Sequence, residues 1–191
     1  MAKDRRQMII QAATKSFSLF GYKATTMDQV AKLANVGKGT IYTFFKNKEE
    51  LFNEIVTELI KEMKATAEAS FDENLSFYEN ANRALFQILA FRKEHQLTIK
   101  LFQEEREIGT PAVLEFMERL EQTVVNYIKN ILQTAIDKGE IKQCNPEITA
   151  FVMLKLYIAL IFDWEQSRKP LEKDEISKLF ELYIFKGLSN R

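Results

Sequence analysis

The stretch Val36–Leu51 reads VGKGTIYTFFKNKEEL. Two of the six glycines in the chain fall within three residues here, ahead of a polar run that carries Thr40, Tyr42 and Thr43 and then Lys46 and Lys48. Gly37 is an acceptable helix N-cap, and Ile41 and Phe45, one i, i+4 step apart, share a face of a helix about two turns long. Asn47 with Glu50 makes a capping box that opens the next helix, with Leu51, Ile55, Leu59 and Met63 inward. Upstream, Asn35 tolerates a left-handed backbone and turns the chain, while Thr26 with Gln29 caps a short helix running to about Ala34. Before that, Ile10, Ala13, Phe17 and Phe20 form one apolar stripe that ends at Gly21, a C′ residue.

Two short helices joined by a tight turn and backed by a preceding helix form a helix-turn-helix unit, whose second helix can lie in a DNA major groove. Ile41 and Phe45 would hold that helix to its own domain and leave Lys38, Gly39, Thr40, Tyr42, Thr43 and Phe44 to the groove. Gly39 removes a side chain where backbones come close. Lys38 can donate to guanine acceptors or a phosphate, and Thr40 and Thr43 offer hydroxyl or methyl contacts to base edges. Lys46, Lys48 and the start of the following helix present charge and free amides to phosphates.

Charge is balanced overall, at 27 bases and 27 acids, but unevenly spread. Residues 1–50 hold nine Lys or Arg against four acids, which leaves 18 against 23 in the rest. Such asymmetry fits either a basic module that meets an anion or a solvated charged face. A single cysteine, Cys144, rules out an internal disulfide and points to a reducing compartment, so a cytoplasmic location is expected. The N-terminal MAKDRRQMIIQAATKSF lacks the apolar run of a signal peptide, and the most apolar segment, Ile148–Trp164, is too short to span a membrane.

Periodicity predicts an all-α chain. Beyond residue 69, helices are expected at about Leu75–Glu94, Leu97–Glu107, Pro111–Lys138, Pro146–Ser167 and Lys173–Gly187. Thr110 before Pro111 and Asn145 before Pro146 are start signals, and Gly139 is a stop. The domain division follows: residues 1–47 as the helix-turn-helix domain and 48–191 as a helical domain.

Ile9, Phe17, Gly21, Thr25, Thr26, Val30, Ala31, Ala34, Val36, Gly39, Thr40, Ile41, Tyr42, Phe45, Lys48 and Leu51 together resemble the DNA-binding domain of TetR/AcrR-family transcriptional regulators, over residues 5–52. The resemblance implies a dimeric, ligand-responsive regulator, usually a repressor. It also implies phosphate contacts at Thr26, Tyr42 and Lys48 and a base-reading helix bearing Lys38, Gly39, Thr40 and Thr43. Gly37 stands where the family often has Ser, and Thr43 with Phe44 replaces the commoner Tyr and His, so operator preference is open.

The larger lobe is read from its residues. Ile148–Trp164 is apolar almost all round, and in the last helix Ile176, Leu179, Phe180 and Tyr183 form one stripe while Leu182 and Phe185 add a second. Two double-faced helices predict a four-helix dimer interface, two from each subunit, or else burial of both within one chain. Fifteen Phe, six Tyr and one Trp favour an apolar cavity for a hydrophobic effector, with Phe86, Phe91, Phe102, Phe116, Tyr127 and Tyr157 as candidate walls, or simply an aromatic core. His95 reads as a helix-end or surface residue and Cys144 as an exposed thiol. Glu104, Glu105 and Glu107 with Arg106 read as a solvated helix face. No metal-ligand spacing or phosphate loop occurs, so no cofactor and no enzyme activity are expected. The alternative function is a helical carrier of hydrophobic ligands whose N-terminal module contacts protein.

Overall fold

The structure is a computed structural model that describes residues 2–94 and 96–189, without the side chains of residues 2, 3 and 92–94. The expected role of His95 lies outside the described residues. The helices are α1 (Ala2–Ala24), α2 (Met27–Leu33), α3 (Lys38–Phe44), α4 (Lys48–Ala69), α5 (Phe77–Glu94), α6 (Gln96–Glu107), α7 (Pro111–Asp137), α8 (Pro146–Ile158) and α9 (Lys173–Phe180). No strand occurs among the described residues, so the fold is all-α. The chain packs as two units: Met1–Lys64 with Arg92–Glu118, and Ala65–Phe91 with Arg119–Arg191.

Local signals set most helix ends. Thr26 and Gln29 complete the expected capping box, Asn35 turns with φ 52°, and Asn145 accepts from the amides of Glu147 and Ile148. Asn47 accepts from Glu50 N, but the Glu50 carboxylate reaches one residue further back, to Lys46 N. Thr110 does not cap α7 with its hydroxyl, which donates instead to Glu104; Val113 N bonds the Thr110 carbonyl.

In the first unit α1 packs along α6 and against α2 and α3. Its inward residues are Ile9, Ala12, Ala13, Ser16 and Phe17. The expected stripe is therefore displaced: Ile10 is only half-buried and Phe20 lies 56% exposed. Phe52 forms the hub of the core, edge-on to Phe17 at 5.4 Å and to Phe116 at 6.1 Å, and 4.6 Å from the Tyr22 ring. Such aromatic pairs add about 0.5–1.5 kcal/mol each beyond the area they bury.

In the second unit Leu132, Ala135, Ile136, Ala150, Ile161, Ile176, Phe180, Ile184 and Phe185 form the core. Cys144 packs half-buried against it and is not the exposed thiol expected. Each of the last two helices ends in a π turn, Ala159–Asp163 after α8 and Glu181–Phe185 after α9. A π turn holds more residues than the 3.6 of an α turn, so facing slips by about one position. This explains why Phe185 joins Ile176 and Phe180 in the core, while Tyr183, which a uniform period groups with them, is 66% exposed.

Gly21 combines φ 83° with ψ 171°, a region that is essentially glycine's own. A Cβ there would also collide with the Glu104 carboxylate. Gly21→Ala should therefore lower stability by about 1–3 kcal/mol or more in denaturant unfolding; a loss near zero would mean that the kink relaxes freely.

Candidate nucleic-acid interface

α3 is seven residues long, and its N-cap Gly37 supplies no side-chain bond. What fixes it is its inner face, where Ile41 and the following Phe45 are fully buried. The turn before it is closed by Val36 N bonding the Ala31 carbonyl at 3.0 Å. With its apolar residues turned inward, α3 shows Lys38, Gly39, Tyr42 and Thr43 to solvent, with Thr40 and Phe44 half-buried. Tyr42 is 45% exposed, a large aromatic side chain left outside on a helix that has a core to enter.

The polar groups on this surface are partly committed. Lys38 Nζ pairs with Asp28 of α2 at 2.9 Å, and that hydrogen bond and charge raise the lysine pKa. Both partners are well exposed, so the pair is weak and can yield to a stronger acceptor. Thr43 Oγ1 donates to the Thr40 carbonyl at 2.7 Å. The Thr26 hydroxyl accepts from Gln29 N at 3.2 Å as a helix cap, at an exposed position. Lys46 is exposed, while its backbone amide is taken by Glu50. Of the amides expected to be free at the start of α4, those of Lys46 and Glu50 are thus satisfied internally.

Lys48 is the residue whose role looks different in three dimensions. Its Nζ donates to the carbonyls of Tyr22 and Thr25, both at 2.8 Å, and lies 4.2 Å from the centre of the Tyr22 ring. Two of its three N–H bonds are spent clasping the end of α1. Burial pushes its pKa down, partly opposed by the charge of Glu104. Glu104, read from sequence as part of a solvated face, is 4% exposed and belongs to the same cluster. An acidic residue in an acidic run gives no sequence signal of burial; only the paired kink at Gly21 hints that something fills the space beside it.

The six candidate effector residues divide between the units. Phe116 and Phe102 belong to the first, where Phe116 is buried in the core against Phe52 and is a packing residue. Phe86, Phe91, Tyr127 and Tyr157 belong to the second. Phe91 is buried, and Tyr157 packs half-buried on the second core. Tyr127 is half-buried, and burial, with Glu68 adding to it, pushes its hydroxyl pKa up.

A short helix anchored by its apolar face, backed by two others and showing a polar, partly basic surface defines a helix-turn-helix DNA-binding protein. Residues 9–55 match the family described as bacterial regulatory proteins, tetR family. The HTH-type transcriptional regulator YhgD of Bacillus subtilis (strain 168) is 64% identical over 189 residues, 99% of each chain. A fatty acid metabolism regulator protein of the same organism is 30% identical over 150 residues, 74% of this chain and 73% of that one. Among solved structures, the fatty acid degradation regulator FadR from Bacillus halodurans superposes with a TM-score of 0.75 at 17% identity, over 93% of each chain, a likeness of fold. The chain belongs to the TetR family of transcriptional regulators.

The chain leaves Gly39 open: apart from its sequence neighbours and its own helix backbone, nothing lies within 4 Å of where a Cβ would stand. Gly39→Ala should thus stabilise α3 by up to about 1 kcal/mol through helix propensity, seen in thermal melts, and at the same time weaken DNA binding. A stabilised variant with unchanged DNA affinity would remove Gly39 from the interface. Tyr42→Ala should leave stability within about 0.5 kcal/mol and still weaken DNA binding in a titration.

Proposed function

We propose that the protein is a homodimeric repressor that binds a palindromic operator and is released by a hydrophobic small-molecule effector. The observation that carries this reading is α3, whose apolar residues are spent inward while its polar ones stand out. In this reading Lys38, Gly39, Thr40, Thr43 and Phe44 meet base edges. Thr26, Tyr42 and Lys46 meet phosphates, and Lys48 contributes the N–H that its clasp leaves over. Two such helices must lie about 34 Å apart, one turn of the duplex, or a multiple of it.

Exposed apolar side chains on the last two helices support a dimer built there. Ile148, Phe151 and Val152 on α8, and Leu182 and Tyr183 after α9, stand outward although each helix has a buried face of its own. The effector reading draws on the names of the Bacillus relatives, regulators of fatty acid metabolism and degradation, and on the aromatic side chains Phe86, Phe91, Phe102, Tyr127 and Tyr157. An acyl chain that fits one arrangement of these residues better would shift the population away from the DNA-binding form. No helix among the described residues is long and apolar enough to cross a membrane.

Selection of bound fragments from random duplex DNA tests the first half, and the expected product is a palindrome with half-sites about one turn apart. A long-chain fatty acid should then release that duplex, while a short-chain one should not. A well-folded dimer that selects nothing overturns the operator reading. Val152→Glu together with Leu182→Glu should give a monomer in analytical ultracentrifugation; a surviving dimer places the interface elsewhere.

A further inference from the structure

We propose that Glu104, on α6, is a positioning residue for DNA recognition, because its buried carboxylate fixes the segment that carries α2 and α3. The segment begins at the kink. Gly21 has left helical geometry, so the amides that follow it point away from the α1 ladder and behave like those of a new helix start. Tyr22 N donates to Glu104 Oε2 at 2.6 Å, and Lys23 N donates to Oε1 at 2.9 Å. Thr110, at the start of α7, completes the set by donating its hydroxyl to Oε1 at 2.7 Å. A carboxylate with three donors is satisfied; buried without them it would be costly.

The carbonyl side of the same segment is held by the opposite charge. Lys48 of α4 takes the carbonyls of Tyr22 and Thr25, and Thr25, fully buried, bonds Ser16 at 2.9 Å and the Gly21 carbonyl at 2.8 Å. Residues 21–25 are thus gripped by an anion on their N–H groups and a cation on their C=O groups. The next residue is Thr26, the cap of α2, and α2 leads through the Asn35 turn into α3. Wherever Glu104 and Lys48 hold this connector, the reading helix follows. Gly21 belongs to the same device, since any side chain there would displace the carboxylate.

Glu104→Gln keeps the size of the side chain but places an NH2 group against one of the two backbone amides. The expected result is faster hydrogen exchange at the Tyr22 and Lys23 amides. Affinity for a selected duplex should fall about tenfold relative to a scrambled duplex of equal length, measured well below the melting temperature of the variant. The ratio is the decisive readout, because a residue that only stabilises the fold would leave it unchanged in molecules that remain folded. Faster exchange with an unchanged ratio overturns the proposal. Should Glu104→Gln fail to fold, Thr110→Val removes one donor only and should lower the ratio by a smaller factor, two- to threefold; no change in a folded Thr110→Val also overturns it. If the unaltered protein itself does not discriminate selected from scrambled duplex, the operator reading fails first, and normal exchange at residues 22 and 23 in Glu104→Gln would then decide against the clamp.

Discussion

A helix of two turns cannot hold itself together in water, because nucleation fixes several residues before the first hydrogen bonds return anything. α3 is such a helix, capped by a glycine without a side-chain bond and carrying a second glycine inside. The whole reading surface therefore depends on the burial of Ile41 and Phe45, which tie α3 to a frame that other helices build. That frame has an aromatic centre, with Phe17, Tyr22 and Phe116 around Phe52, and it draws on α1, α4 and α7 at once. The geometry of the residues that α3 exposes is thus inherited from residues buried beneath it.

The polar cluster at the end of α1 serves the same frame at a different cost. Burying Glu104 and partly burying Lys48 is unfavourable for each alone, as the lowered pKa of the lysine shows. The two are offset by specific bonds to a backbone that has left helical geometry at Gly21. Apolar residues of similar size could fill this space with comparable stability, but they could not choose among nearby positions of the connector. Directional bonds can, which is why charge is concentrated at this joint and aromatic rings at the centre.

The parts legible in the sequence were those governed by neighbours a few residues apart. Thr26 with Gln29, Asn35, Asn145 and the i, i+4 pair Ile41 and Phe45 each declare their structure within one turn of chain. The parts that were not legible depend on distant segments. Glu104 sits among other acids on α6, and its burial is decided by a kink 83 residues earlier. Phe20 looks like the fourth member of an apolar stripe, yet the inward face runs through Phe17 to Gly21 and leaves Phe20 56% exposed. The π turns after α8 and α9 add a residue to their turns, and so Phe185 rather than Tyr183 continues the buried face of Ile176 and Phe180.

The same distinction governs charge. Counting side chains gives residues 1–50 five more bases than acids, but the count does not say which of them are free to meet a phosphate. Lys48 is spent on two carbonyls, Lys38 shares Asp28, and Arg6 pairs with Glu54 while its guanidinium lies over the Phe45 ring. Part of the basic surplus therefore works inside the domain, fastening α1, α3 and α4 to one another. An exposed pair such as Lys38 and Asp28 is weak and easily exchanged, whereas the partly buried Lys48 clasp is costly to break. On the proposed reading, electrostatic attraction to DNA rests on the exposed members, and the buried ones give the surface a fixed shape.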